Sequence, residues 1–293
     1  MIILARFIMK DAMSAAMVMM AAAFLALILP PFSLVGAGAL ALVTLRQGAA
    51  FGLKVLGIAG LASATLAWAI WQQPWLAGSF VLFVWVPVYL IALLLRSSRQ
   101  LSLTVEITTA LGMLGVLVFF AINPDAPAFW RDMLNVLLTP VLGETSVPWL
   151  DKIADYMTGI IIAGSVFSLL LALMLGRWWQ ASLYNPGGFA EEYFALRTHR
   201  GFSLAVIIMA AIAAISAGMV GLIASNMAIL ALTLYGLVGS AVVHVVLKRQ
   251  RQARFWLPIF YVLLFLVPQM LIPVTLIGLG DSWFNWRIKS IDS

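Results

Sequence analysis

Residues 101–122 read LSLTVEITTALGMLGVLVFFAI, an apolar run in which Glu106 is the only charge. An α-helix rises about 1.5 Å per residue, so this run can cross a hydrocarbon core about 30 Å thick. It lacks the period-2 alternation of a membrane β-strand. Backbone groups in lipid must be satisfied within the segment, which leaves a transmembrane helix.

Similar runs lie on both sides of it, at 12–29, 32–45, 49–71, 76–95, 154–175, 202–223, 227–246 and 255–279. Pro30-Pro31, Arg46-Gln47-Gly48, Gln72-Gln73-Pro74, Arg96 to Arg99, Ala224 to Asn226 and Lys248 to Arg254 separate them. Proline, glycine and charge are the punctuation expected between helices. The whole composition agrees: 64% of the 293 residues are hydrophobic and 10% charged, with a mean hydropathy of +1.08. Soluble domains sit near half apolar and a quarter charged, so the surplus requires lipid. The expected fold is all-α: a polytopic transmembrane helical bundle, one integral membrane domain over residues 1–293. It has about nine spans, or eight if the proline-rich last run (Pro258, Pro268, Pro273) is re-entrant.

Charge sets the expected orientation. With a cytosolic N-terminus, Arg6, Lys10, Arg46, Lys54, Arg96, Arg99, Arg177, Arg197, Arg200, Lys248, Arg249, Arg251 and Arg254 all fall on or near the cytosolic side. The outer stretch 123–156 holds Arg131 and Lys152 against Asp125, Asp132, Glu144, Asp151 and Asp155. That asymmetry is the positive-inside pattern; only the tail, with Arg287 and Lys289, is unassigned. The net charge of +6 therefore reads as topology, and no nucleic-acid partner is expected. The first run carries Arg6 and Lys10 but no small-residue cleavage site before a polar region, so it reads as a retained helix. The absence of cysteine removes thiolate chemistry and disulfides.

Two connecting regions have structure of their own. In the outer segment 123–153, Pro127 suits a first helical turn, and Trp130, Met133, Leu134, Leu137 and Leu138 recur at helical spacing, as in an interfacial helix. The cytosolic loop 176–201 begins with Arg177, Trp178, Trp179 and Gln180. It then turns through Asn185, Pro186, Gly187 and Gly188, whose chemistry specifies a tight turn. A short amphipathic helix with Glu191 and Glu192 is expected next. Aromatic, basic and acidic groups concentrated here suit docking of a cytosolic protein; an interfacial anchor is the plainer reading.

Ionisable residues inside spans mark candidate sites, because each is costly unless paired or useful. Lys54 and Glu106 lie at similar depth with opposite sign and are expected to pair, unless Lys54 snorkels alone to the headgroups. His244, near the inner end of its run, and Gln269, between Pro268 and Pro273, are candidate cavity-lining polar residues. The metalloprotease, P-loop and nucleophile-elbow motifs are missing. Gly36-Ala37-Gly38-Ala39-Leu40-Ala41 matches a dinucleotide string only inside an apolar run with no strand before it. No catalytic, cofactor or metal residues are assigned, and an enzyme is not expected; a carboxylate–histidine cluster at the headgroup level would reopen that reading.

The residues Arg177-Trp178-Trp179-Gln180, Tyr184-Asn185-Pro186-Gly187-Gly188-Phe189, Glu191-Glu192 and Leu196-Arg197 resemble the proteobacterial branch of the YybS-like family of bacterial multi-pass membrane proteins. That family has no settled activity. Pro30-Pro31 to Leu45-Arg46-Gln47-Gly48 looks similar too. It also resembles the substrate-capture subunits of energy-coupling-factor transporters, where a short second helix ends in a basic residue and glycine. Those subunits usually have six spans, fewer than are expected here. The leading expectation is a bacterial inner-membrane protein that binds or transports a small solute or lipid-like molecule without its own ATPase. Its partners would be membrane lipids, a small-molecule ligand and a cytosolic protein. The alternative is a scaffold that recruits a cytosolic partner through residues 177–200.

Overall fold

The computed structural model describes residues 1–142, 148–248, 250 and 252–289. Glu144, Arg249 and Arg251, which entered the charge reading, lie outside them, as do residues 143–147 of the outer segment. Among the described residues the chain is helical, with no strand. It forms two compact units, 1–104 with 168–193 and 105–167 with 194–293.

The first unit begins with α1 (Ile2–Ile8), α2 (Ala12–Ala26), α3 (Phe32–Gln47) and α4 (Ala49–Trp71). Asp11 caps α2 by accepting the Ser14 N–H at 2.7 Å; that bond holds its carboxyl below its ordinary range. Next come α5 (Trp75–Phe80), a π-helical turn (Val81–Trp85) and α6 (Val86–Ser98). The wide turn has a cause in the sequence: Pro87 brings no N–H, and its ring would press on the carbonyl of Phe83 in a regular helix. The core of this unit packs Ile8, Met19, Leu40, Leu42, Val55 and Trp85 with Trp179. Trp179 is on the second half of a long helix, α9 (Pro148–Tyr184).

The second unit holds α7 (Leu101–Ile122), α8 (Ala126–Leu142) and the first half of α9. Asp125 accepts the Ala128 N–H at 3.1 Å at the start of α8, and Trp130 donates to Thr158 at 2.8 Å. The helix expected from Trp130, Met133 and Leu137 is therefore present. After the short α10 (Gly188–Phe194) come α11 (Arg200–Ile215), α12 (Gly218–Lys248) and α13 (Ala253–Leu266). A 3-10 turn (Pro268–Met270), α14 (Leu271–Phe284) and α15 (Trp286–Lys289) complete the chain.

Most apolar runs of the sequence correspond to one helix or a bent or broken one, but the run at 202–223 is divided between α11 and α12. Among the described residues, 5 helices are long and apolar enough to cross a membrane: Ala49–Trp71, Trp75–Ser98, Leu101–Ile122, Trp149–Tyr184 and Gly218–Lys248. Ala12–Ala26, Phe32–Gln47 and Arg200–Ile215 are apolar but shorter, and Ala253–Leu266 bends by 111° into Pro268–Phe284.

Two expectations need correction. The break expected at Ala224 to Asn226 lies earlier, where Ser216 is extended after α11 and α12 starts at Gly218. Asn226 is thus inside a helix and fully buried, not in a turn. Second, much of the expected 176–201 loop is helix, because α9 continues to Tyr184. The chain turns at Asn185 to Gly187, with the Gly188 N–H bonded to the Asn185 carbonyl at 3.1 Å and Gly187 at φ +92°, and leaves the helix again over 195–199. The 185–188 turn is of type II, with proline and glycine in their preferred places. The last run, expected either to cross or to re-enter, is sharply bent, and residues flanking it on both sides reach Phe194. Lys248, just before α13, lies 4.8 Å over the Phe194 ring, and Arg287, just after α14, donates to the Phe194 carbonyl.

Candidate functional site

In the first unit, the ends of α3, α6 and α9 surround a polar cavity of about 440 Å³, lined by Leu45, Leu95, Arg96, Arg99, Arg177, Gln180 and Glu192. Trp179 is fully buried in the unit's core, and this burial fixes the rotation of α9 that presents its neighbours Arg177 and Gln180 to the cavity. Arg177 is gripped on both edges. Its Nε donates to Glu192 Oε2 at 2.9 Å, its Nη2 to Glu192 Oε1, and its Nη1 to Gln180 Oε1 at 2.8 Å. The tight 185–188 turn returns the chain so that α10 can deliver Glu192.

The other two arginines stand at the end of α6. Arg96 donates from Nη1 to the Leu45 carbonyl, and its guanidinium lies beside Gly48, whose φ of +99° favours glycine. Arg99 ends α6 in the left-handed conformation at φ 56°. Among the described residues neither has a carboxylate partner. Arg46 is engaged elsewhere, 4.1 Å over the Tyr184 ring.

This geometry divides the residues singled out for docking. Arg177 and Glu192 join each other and are partly buried, and Trp179 is inside. Trp178, Asn185, Pro186, Gly187 and Glu191 remain exposed, while Gly188 is buried. A side chain at Gly188 would collide with the Asn185 amide.

The second unit contains a different polar cluster. Glu106 is buried, with its side chain 7% exposed, and both of its oxygens bond His199: one takes the backbone N–H and the other meets Nδ1 at 2.7 Å. Nearby, Thr198 bonds Ser282 at 2.7 Å and Ser203 at 3.2 Å, and Tyr235 donates to Ser203 at 2.9 Å. The expected Lys54–Glu106 pair is thus replaced: Glu106 is satisfied within its own unit and Lys54 is exposed. His199 escaped the sequence reading because it stands in a loop, with no run to mark it. Glu106 and His199 are a carboxylate–histidine dyad of the kind that would reopen an enzyme reading. However, the hydroxyls beside them bond one another instead of the imidazole. The dyad's evident work is to cap α11, whose N-cap residue is His199.

The remaining candidates are placed plainly. His244 bonds Tyr261 at 2.9 Å and packs on Phe194 at 4.8 Å. Gln269 is exposed in the bend between α13 and α14 and lines no cavity described above. Arg287 was unassigned in the sequence, yet it is a structural centre: it donates to the Phe194 and Leu196 carbonyls and pairs with fully buried Asp281 at 3.1 Å. An apolar cavity of about 430 Å³ between α11 and α12 is lined by Met113, Phe202, Met209 and Met227 among others. Among the described residues no group of three histidine or carboxylate side chains could hold a metal ion. Compared with protein-family models, curated proteins and solved structures, the chain finds no match.

Proposed function

We propose that this chain is a membrane-embedded binding component for a small solute or lipid-like molecule, acting without an ATPase of its own, in a bacterial inner membrane. The observation that carries this reading is the polar cavity between Arg96, Arg99, Arg177 and Glu192, a concave site with convergent charged groups. A scaffold that recruits a cytosolic protein through residues 177–200 is the alternative. The placement of Arg177 and Glu192 supports the ligand site over it, because those side chains line the cavity.

The proposed topology has a cytosolic N-terminus and eight crossings, with α13 and α14 as a re-entrant pair. Two observations support the re-entry: Lys248 and Arg287 both reach Phe194. A cytosolic tail also puts Arg287 on the basic side of the membrane. A likeness to the YybS-like family is part of the same proposal and rests on the 177–197 residues and the Pro30 to Gly48 stretch.

Native mass spectrometry of the protein released directly from bacterial membranes tests the reading. A small-molecule adduct on the chain is expected. Bare protein, or protein carrying only a protein partner, would favour the scaffold.

A further inference from the structure

Charge in the first unit's cavity does not balance. Three guanidinium groups face one carboxylate, a surplus of two positive charges. The last turn of α6 explains part of this, since cations there complement the helix dipole. It does not explain why Arg96 and Arg99 share a concavity with Arg177, nor why two of the three are positioned. Arg177 is oriented by Glu192 and Gln180 and Arg96 by the Leu45 carbonyl, while Arg99 lines the same cavity from the end of α6. A preset guanidinium loses little freedom when a ligand arrives.

We infer that this cavity is a site for a phosphate-type dianion, carried by a phosphomonoester headgroup or arriving as free phosphate. Guanidinium forks match phosphate oxygens with paired hydrogen bonds, which a lysine cluster would not do. Two negative charges match the surplus; a carboxylate would leave one positive charge uncompensated. The inference rests on the binding reading above and narrows it to a ligand class.

The full-length protein in phosphatidylcholine nanodiscs is titrated with inorganic phosphate, and in parallel reconstituted with increasing phosphatidic acid. Thermal unfolding and equilibrium dialysis of radiolabelled phosphate report binding; acetate is the control anion. Saturable binding is expected in one arm. Phosphate alone binding indicates a free phosphate, and phosphatidic acid alone a lipid headgroup. Arg99→Gln is expected to weaken binding roughly tenfold or more, the loss of one charge-assisted contact. Arg99→Lys falls between, keeping the charge without the fork, whereas Glu192→Gln tightens binding by removing the competing negative charge. Lys54→Gln, exposed in the same unit, leaves it unchanged. Three results overturn the inference: no saturable binding of either probe, acetate binding as tightly, or Lys54→Gln acting as strongly as Arg99→Gln. If a phosphorus-free adduct is found by native mass spectrometry while both probes fail, the binding reading stands and the phosphate assignment falls.

Discussion

The Asn226 side chain, in the first third of α12, accepts the Gly159 N–H of α9 at 2.6 Å and donates to the Asp155 carbonyl, also on α9, at 2.8 Å. The two helices touch here backbone to backbone: a Cβ on Gly159 would lie 2.5 Å from the Asn226 carbonyl oxygen. A small residue that allows close approach, plus an amide that bonds across it, is a membrane-helix contact of known type. Gly159→Ala is expected to destabilise the protein by about 1–3 kcal/mol through overpacking. Asn226→Ala should cost about 0.5–2 kcal/mol. The pair should couple in a double-mutant cycle of thermal or denaturant unfolding in detergent. Additive effects would contradict the contact.

Glu106 and His199 form the second test. Glu106→Leu removes the acceptor of the His199 N–H at the start of α11 and is expected to cost about 1–3 kcal/mol. His199→Ala, at an exposed imidazole, should cost less. Lys54→Met should be close to neutral, and its coupling with Glu106→Gln should lie within about 0.5 kcal/mol of zero. A larger coupling would restore the Lys54–Glu106 pair.

Arg287 and Asp281 make the third. Arg287→Met leaves a fully buried carboxylate without its partner, at an expected cost of about 3–5 kcal/mol. The Arg287→Met/Asp281→Asn double variant should recover part of that. Full stability of Arg287→Met on its own would contradict the clamp.

The same residues fix the expected topology of the last helices. In this cysteine-free chain, Gln252→Cys and Trp286→Cys should both resist an impermeant thiol reagent added to intact cells, while Pro124→Cys should react. Labelling of position 286 with position 252 protected would mean that the bent pair crosses the membrane.

What could be read in the sequence follows from what each signal depends on. Helices announced themselves because lipid demands long apolar runs, and the 185–188 turn did so because Pro186 fixes one dihedral and Gly187 permits a positive φ. The break before α12 was misplaced because Asn226 looks like a turn residue, and only a neighbouring helix bearing Gly159 makes it a buried bond. The cavity was half visible. Arg177, Gln180 and Glu192 stood out as one cluster, yet Arg96 and Arg99 read merely as cytosolic charge until folding brought α6 beside α9. Glu106 was flagged correctly as a residue needing a partner, but its partner His199 came from a loop with no periodic pattern.

The most direct test of a ligand between Arg96, Arg99 and Arg177 is site-specific photocapture in bacterial membranes. A diazirine-bearing lysine analogue is placed at position 99, with the same analogue at exposed position 54 as reference, and intact masses are read after irradiation. A discrete small-molecule adduct at position 99, absent at 54, is the result expected. The same adducts at both positions, or a captured protein in place of a small molecule at 99, would contradict it.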